Sequence, residues 1–272
     1  DGGNAVMASK RNRLAETDLQ KLKALAHAFL ELDIQPTKIS PLVVKHPFTD
    51  SGIVGLRKED GNIAAADLTS DSAALRTWRE QCGRQIDEAE NPFELFMMIT
   101  KPYKLGFLKY AAPSLSEQDT ALFLSEAWII DEAPNSDPNL SKRELLALFR
   151  SIDPQKLMDE DEYGLFCSLD DVVTVYRGVT SYNAKNVKAL SWTLNRDTAE
   201  WFAHRFGEQG TVYEAQIPKE HICAVFLGRN ETEVIVDPKY LMGVSPAQDA
   251  PSEQYRQEQE LQMGGITKWF CI

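Results

Sequence analysis

The chain changes character at VVTVYRG, residues 172–178. The first four of these residues are apolar or β-branched, a composition typical of a β-strand. Further strand-like runs lie at 211–217, 223–227 and 233–236, and a short amphipathic helix is predicted to begin at NRDTAE, residues 195–200. This part of the chain is therefore predicted to form a mixed, mainly β structure.

The sequence before this change predicts helices. TDLQ at 17–20 and SKRE at 141–144 both have the form of a capping box, in which a hydroxyl side chain caps the helix and Gln or Glu is its third residue. Apolar residues recur at helical spacing after each box. Two more helices are predicted at 72–89 and 92–100, and the Pro- and Gly-containing stretch 36–70 is predicted to be a loop or small hairpin region.

These patterns predict an α+β fold in two parts. We expect a helical N-terminal lobe at residues 1–168 and a mixed, mainly β core with a C-terminal tail at 169–272. Residues 1–6 are interpreted as an extension ahead of a native start at Met7. The apolar residues at 266–272 are expected to return to the core rather than extend into solvent.

The composition is that of an ordinary globular protein, with 43% hydrophobic and 26% charged residues. No apolar run approaches the length of a membrane span, so no membrane partner is expected. The four cysteines, Cys82, Cys167, Cys223 and Cys271, match neither a disulfide framework nor paired zinc ligands. The four histidines are also scattered. We therefore predict no metal site and expect a reduced, cytoplasmic protein.

Two glutamates stand close together in ETEV, residues 231–234. The predicted strand places Glu231 and Glu233 on one face, because side chains at positions i and i+2 of a strand point the same way. Neighbouring carboxylates repel each other unless a cation or a reaction uses them. Taken alone, such a pair is more often a solvated strand edge of an acidic protein than a reactive site.

Arg177 and the SWT run at 191–193 are two further candidates. Arg177 ends the first strand, and its guanidinium is a permanent two-pronged donor suited to phosphate or carboxylate. Gly178, which follows it, would let a ligand approach the backbone closely. The alternative for Arg177 is a surface ion pair. The SWT strand would present the hydroxyls of Ser191 and Thr193 on one face, although such residues favour strands in any case.

Taken together and in this order, these elements resemble the arginine–serine–glutamate branch of the ADP-ribosyltransferase superfamily. Members of this branch have an arginine at the end of the first core strand, a strand similar to S-T-S, and a later E-x-E or Q-x-E. The corresponding residues here are VYRG (175–178), SWT (191–193) and ETE (231–233), and AEWFA (199–203) is similar to the helix that follows the serine strand. Trp192 departs from the family pattern, which has Thr at that position. The longer stretch 101–236 is similar to bacterial and phage proteins of this type.

The resemblance implies that residues 169–272 form the catalytic core, that NAD is the substrate and that no metal is required. Arg177 would bind the NAD pyrophosphate or a nearby ribose, and the backbone of Gly178 would hold the nicotinamide amide. Ser191 would orient Glu233 by hydrogen bonding, with Thr193 supporting the strand. Glu233 would grip the nicotinamide ribose and stabilise its positive charge as nicotinamide leaves.

The resemblance also implies that Glu231 is the general base for the attacking nucleophile, and it leaves the acceptor open. Glu at the first E-x-E position occurs most often with protein arginine acceptors, while other members modify RNA or DNA bases. The net charge of −12 argues against nucleic acid, but residues 171–240 carry 8 Lys/Arg and 9 Asp/Glu and are nearly neutral. KPYKLGFLKY at 101–110 interleaves lysines with aromatics, as single-strand binders do. At helical spacing, a core-facing stripe with solvated lysines is the better interpretation of that run.

A macromolecular acceptor is therefore predicted, with protein arginine slightly ahead of an RNA or DNA base. The setting implied by the resemblance is a bacterial toxin or phage-defence effector, held by an antitoxin or inhibitor protein. The alternatives are an NAD glycohydrolase, in which water replaces the acceptor, and an inactive binding module of the same fold. A glycosidase is disfavoured, because Glu231 and Glu233 are too close along one strand to flank a glycosidic bond from opposite sides.

Overall fold

The structure is a computed structural model. It describes residues 14–40, 42–131, 138–207, 209–228 and 231–248. The proposed extension at 1–6 and the expected return of 266–272 to the core lie outside these residues.

The N-terminal part is built mainly from helices. Its helices within the described ranges are α1 (Leu19–Leu30), α2 (Ser72–Glu88), α3 (Pro92–Met98), α4 (Lys104–Ala111), α5 (Glu117–Ile130), α6 (Lys142–Ser151), α7 (Pro154–Leu157) and α8 (Glu160–Ser168). Between α1 and α2 lie β1 (Gln35–Pro36), β2 (Val43–His46), β3 (Thr49–Ser51), β4 (Ile53–Arg57) and β5 (Ile63–Asp67). These strands form a three-stranded sheet, β1-β2-β3, and the hairpin β4-β5, which confirms the predicted hairpin region. Every helix of the described chain is too short or too polar to cross a membrane.

The main sheet follows these helices. Its elements are β6 (Val172–Val179), β7 (Ser191–Thr193), α9 (Arg196–His204), β8 (Thr211–Pro218), β9 (Ile222–Phe226), β10 (Glu233–Val236) and β11 (Met242–Pro246). The six strands are ordered β11-β8-β6-β7-β10-β9, and each neighbouring pair is antiparallel. Helices come first and the sheet-rich part second, so the α+β class is confirmed. The order also places β6, β7 and β10, which carry the candidate residues, side by side.

The two capping boxes predicted from the sequence have different outcomes. At α6, the Ser141 hydroxyl accepts from the Glu144 backbone N–H at 3.3 Å and the Glu144 carboxylate accepts from Ser141 N–H at 2.8 Å, which confirms that box. At α1 the prediction is wrong, because Asp18 caps the helix. The hydroxyl of Thr17 instead donates to Asp119 and accepts from a backbone N–H at the start of α5.

The helical part and the main sheet share one hydrophobic core. The ring centroids of Trp128 on α5 and Phe149 on α6 lie 5.2 Å apart, and that of Phe149 lies 6.5 Å from Phe226 on β9. Beyond β10, the buried carboxylate of Asp237 forms an ion pair with Arg150 of α6. The helices therefore support the face of the sheet at the end where β9 and β10 lie.

Gly178 lies where α9 packs on β6. A Cβ atom built at this glycine would lie 2.3 Å from the carbonyl oxygen of Ala199 and 2.5 Å from the backbone nitrogen of Ala203. Both are backbone atoms of a helix and cannot move independently of it. On the side where a side chain would project, α9 fills the space, so the close packing of this helix on β6 requires glycine at this position.

We expect Gly178→Ala to lower the free energy of unfolding by at least about 1–3 kcal/mol, since overpacking against rigid backbone is destabilising. Urea unfolding measures the change. Gly164→Ala in α8 is the matched control: nothing lies within 4 Å of a Cβ built there. That substitution should instead stabilise the helix by about 0.5–1 kcal/mol. A Gly178→Ala protein as stable as the parent would contradict the assigned helix contact.

Candidate active site

Three neighbouring strands bring Arg177, Ser191 and Glu233 into one chain of contacts. Arg177 lies in β6, and its Nη1 donates to the backbone oxygen of Ser191, in β7, at 2.5 Å. The Ser191 hydroxyl donates in turn to the Glu233 carboxylate, at the start of β10. The ladder places Glu233 opposite Thr193, and Thr193 opposite the β6 residue next to Arg177. Ser191 thus connects the two charged groups, through its backbone oxygen to the guanidinium of Arg177 and through its hydroxyl to the carboxylate of Glu233.

The site is buried and its charges interact. Glu233 is only 8% exposed. Burial lowers the pKa of Arg177 to about 10, although the Glu233 charge acts to raise it. The guanidinium therefore stays protonated at neutral pH. Among the described residues, its Nε is one of the few buried polar side-chain atoms without a hydrogen-bond partner. An unsatisfied buried donor costs about 1–3 kcal/mol.

The SWT strand alternates as the sequence predicts. The indole of Trp192 is 2% exposed, and its Nε1 donates to the backbone oxygen of Ala189 at 3.1 Å, so this side chain packs in the core. On the other face, the Thr193 hydroxyl donates to the backbone oxygen of Glu231 at 2.6 Å and accepts from Asn195 N–H at 3.0 Å. The departure at Trp192 therefore affects packing beneath the site rather than a side chain facing a ligand.

Glu231 does not lie on the strand that carries Glu233. Strand β10 begins at Glu233, and Thr232 has a φ of +43°. The Glu231 N–H donates to the Gly228 oxygen at 3.3 Å, as part of the loop before the strand. The prediction that one strand face presents both carboxylates is wrong, because a residue with left-handed backbone between them breaks the alternation. The half-buried Glu231 belongs to the loop, and only Glu233 to the sheet.

The left-handed backbone of Thr232 is strained. This conformation costs a non-glycine residue roughly 1–2 kcal/mol, and it is rare for a β-branched one. Two contacts with the SWT strand and its continuation hold it: the Thr193 hydroxyl donates to the Glu231 oxygen at 2.6 Å, and Leu194 N–H donates to the Thr232 oxygen at 3.1 Å. Strain maintained in this way is concentrated at functional sites.

Two further cations near Arg177 were not identified from the sequence. Lys142, at the start of α6, donates through Nζ to the side chain of Asn186, in the connection between β6 and β7. Burial and then the charge of Arg177 lower the pKa of Lys142. The charge of Arg205, which follows α9, also acts to lower the pKa of Arg177. SKRE predicts a helix start at 141–144, but nothing in the sequence relates Lys142 to Arg177.

Two of the histidines, His46 and His27, have structural surroundings. His46 is buried, its Nε2 donates to the Leu32 oxygen at 3.1 Å, and its Nδ1 accepts from Phe48 N–H at 3.1 Å. Burial lowers its pKa, so it is neutral at pH 7. His27 contacts the carboxylate of Asp87 at 2.8 Å. Within the described ranges, no group of three or more His, Cys, Asp or Glu side chains is arranged to hold a metal ion.

The KPYKLGFLKY run lies away from these contacts and forms α4 and the turn before it. Its lysines are not all solvated: Lys104 is 3% exposed, and its Nζ donates to the Phe96 oxygen at 2.7 Å and lies 4.0 Å from the Phe96 ring centroid. Burial lowers the pKa of Lys104 to about 8. Phe107 is fully buried, and only Tyr110 of the run's larger aromatics is well exposed. The predicted core-facing stripe is confirmed for Phe107, while Tyr110 is exposed and the expectation of solvated lysines is wrong for Lys104.

Comparisons of the whole chain with protein-family models, with curated proteins and with solved structures found no match. A functional assignment therefore depends on the motifs and on the geometry of this site. The contacts between Arg177, Ser191 and Glu233 are its central feature.

Proposed function

We propose that this chain is a mono-ADP-ribosyltransferase, which cleaves NAD and transfers ADP-ribose to a macromolecular acceptor. The observation that carries the proposal is the connected set Arg177–Ser191–Glu233 on three adjacent strands. The motif resemblance requires these three residues to meet, and they are far apart along the chain. A cation for phosphate and a buried, oriented carboxylate for a cationic ribose are the two groups that this reaction needs.

The charges around Arg177 suit the binding of NAD. The pyrophosphate of NAD is an anion, and a guanidinium binds it through a permanent positive charge and directed N–H donors. Lys142 and Arg205 add positive charge near Arg177 in a protein whose net charge is −12. Positive charge concentrated locally in an acidic protein raises the local concentration of an anionic substrate. The backbone of Gly178, next to Arg177, would hold the nicotinamide amide.

Glu233 supplies the charge that bond cleavage needs. As the bond between ribose C1′ and the nicotinamide nitrogen breaks, the electron pair leaves with nicotinamide and positive charge develops on the ribose. The Glu233 carboxylate, held by the Ser191 hydroxyl, opposes that charge in a buried site where electrostatic stabilisation is strong. The acceptor atom then bonds to C1′, and Glu231 takes the proton that the acceptor loses.

The acceptor is a protein arginine or an RNA or DNA base, and the setting a toxin or phage-defence effector controlled by an antitoxin or inhibitor. NAD glycohydrolase activity is the second candidate, and the position of Glu231 favours it. Because Glu231 precedes the strained Thr232 and lies outside the sheet, its reach to an acceptor depends on how the backbone at 231–232 is held. Water can trap the ribose cation without such precise positioning.

The test is to incubate the protein with NAD labelled in the adenylate part and with whole-cell lysate. Transfer to protein would give label removed by protease, and transfer to nucleic acid would give label removed by RNase or DNase. Nicotinamide release without labelled macromolecules would identify a glycohydrolase. If the protein released no nicotinamide and labelled no macromolecule, the proposed function would be overturned.

We expect Arg177→Ala to weaken NAD binding by about one to two decades, because a lost charge-assisted phosphate contact is worth roughly 1.5–3 kcal/mol. Calorimetric titration of NAD measures the effect.

Arg79→Ala is the matched control for this substitution. Arg79 of α2 also has a buried Nε without a partner, and it donates to the Leu32 oxygen at 2.9 Å in the helical part. This control should reduce stability without changing NAD affinity. An Arg177→Ala protein that binds NAD as tightly as the parent would show that Arg177 only supports the sheet.

A further inference from the structure

We propose that Glu162, in the helical part, is a positioning residue that holds Glu231 where it can act as general base toward the acceptor. This inference rests on the proposed function and assigns a role to a residue outside the sequence motifs. Glu162 lies in the first turn of α8, and its carboxylate acts on the loop that connects β9 to Glu231.

Glu162 is a buried carboxylate with two backbone partners. It is 7% exposed. Its Oε2 accepts from Asp159 N–H at 3.1 Å, which completes the capping box of α8. Its Oε1 accepts from the N–H of Leu227 at 2.8 Å. The first contact stabilises the helix, whereas the second reaches across to the main sheet and is unnecessary for a cap.

Leu227 is the first residue after β9, where the loop to Glu231 begins. The next residue, Gly228, accepts from Glu231 N–H at 3.3 Å. A Cβ atom built on Gly228 would lie 3.2 Å from Cγ2 of Ile129, so this end of the loop also rests against α5. The helical part therefore holds the loop at its outer end through the hydrogen bond from Leu227 to Glu162, with α5 lying close to Gly228.

The inner end of the loop is held by the sheet. The Thr193 hydroxyl donates to the Glu231 oxygen, and Leu194 N–H donates to the Thr232 oxygen. Between these anchors the strained Thr232 turns the chain into β10. Thr193 and Leu194 still hold Thr232 when the Leu227 anchor is lost. The contact of Glu231 N–H with the Gly228 oxygen then loses its support, so Glu231 is the carboxylate that is displaced.

Glu233 has supports of its own besides that anchor. It lies in β10, paired with β7 on one side and β9 on the other, and the Ser191 hydroxyl holds its carboxylate. Loss of Glu162 should therefore leave nicotinamide release nearly intact and reduce acceptor labelling. A purely structural role would reduce both together.

The experiment compares the labelling-to-release ratio in Glu162→Ala and Asp159→Ala proteins. Asp159→Ala removes the cap to Glu162 N–H but leaves the carboxylate that holds Leu227 in place. We expect Glu162→Ala to lower the ratio by about 10- to 100-fold, since misplacement by about 1 Å has effects of this size. Asp159→Ala should leave the ratio within about twofold of the parent while weakening the same helix.

Amide hydrogen exchange provides a readout that does not require activity. The Leu227 amide should exchange at least about tenfold faster in Glu162→Ala, and remain protected in Asp159→Ala. Glu162→Gln is the milder variant, because its single carbonyl oxygen can serve only one of the two amides. If the glutamine oxygen serves Asp159 and the Leu227 amide loses protection, the labelling-to-release ratio of this variant should fall. If it serves Leu227 instead, the ratio should stay at the parent value.

An unchanged ratio in Glu162→Ala, or equal falls in both alanine variants, would overturn the positioning role. Protection of Leu227 that survives Glu162→Ala would overturn it as well. A parent protein that releases no nicotinamide would overturn the proposed function instead. In that case the exchange measurement still decides whether Glu162 holds the loop.

Discussion

Glu233→Gln is expected to abolish both nicotinamide release and acceptor labelling, with rates reduced by at least about 10²–10³-fold. Glutamine keeps the size of the side chain and an oxygen that can accept from the Ser191 hydroxyl, but it removes the negative charge. The charge is needed when the ribose becomes cationic, a step that hydrolysis and transfer share. Because Glu233 is buried beside Arg177, no solvent replaces the lost stabilisation.

Steady-state nicotinamide release measures this loss, and urea unfolding shows whether the fold is retained. Glu214→Gln is the control, since Glu214 lies on β8, which β6 and β7 separate from β10. It should retain activity near the parent level. If the Glu233→Gln protein kept activity within a few-fold of the parent, Glu233 would have no catalytic role.

The second large effect is expected from Glu231→Gln. Transfer should fall by about 10²–10⁴-fold, the usual effect of losing a general base, while NAD hydrolysis is largely retained. An acceptor amine must lose a proton as it attacks, whereas water trapping a preformed cation depends much less on a base. The loop position of Glu231 strengthens this expectation, because a residue outside the strand contributes little to the sheet that holds Glu233.

Nicotinamide release and acceptor labelling followed in parallel measure the two reactions for the parent and the variant. Equal loss of both would mean that Glu231 supports the site as a whole, and the division of labour between the glutamates would be wrong. A Glu162→Ala protein, like Glu231→Gln, should lose acceptor labelling and keep nicotinamide release, but its loss of labelling should be smaller. This ordering links the two predictions.

Local patterns were sufficient wherever neighbours along the chain decide the structure. The box at Ser141 forms because both of its partners lie within one turn of helix. The helix after the serine strand starts where predicted, since the Asn195 side chain accepts from Asp197 and Thr198 N–H. The strand run at 172–178 lies within β6 because β-branched residues suit an extended, half-buried backbone.

The same local reasoning failed where a distant partner competed. The Thr17 hydroxyl contacts α5 instead of capping its own helix. Lys104 would be solvated on an isolated helix, but here it donates to the last turn of α3. Glu231 lies outside the strand because Thr193 and Leu194 hold the loop in a conformation that no strand pattern predicts.

By itself, the sequence determined the α+β class, five strands of the main sheet (β6 to β10), the helices α1, α2, α3, α6 and α9, and the types of residue needed for a candidate site. These properties depend on side-chain periodicity and on contacts between near neighbours. Only the tertiary structure decided that Arg177, Ser191 and Glu233 meet, that α9 fills the space beside Gly178, and that Glu162 reaches Leu227. Strand order and helix docking determine these contacts, because they depend on how the whole core packs and not on spacing along the chain.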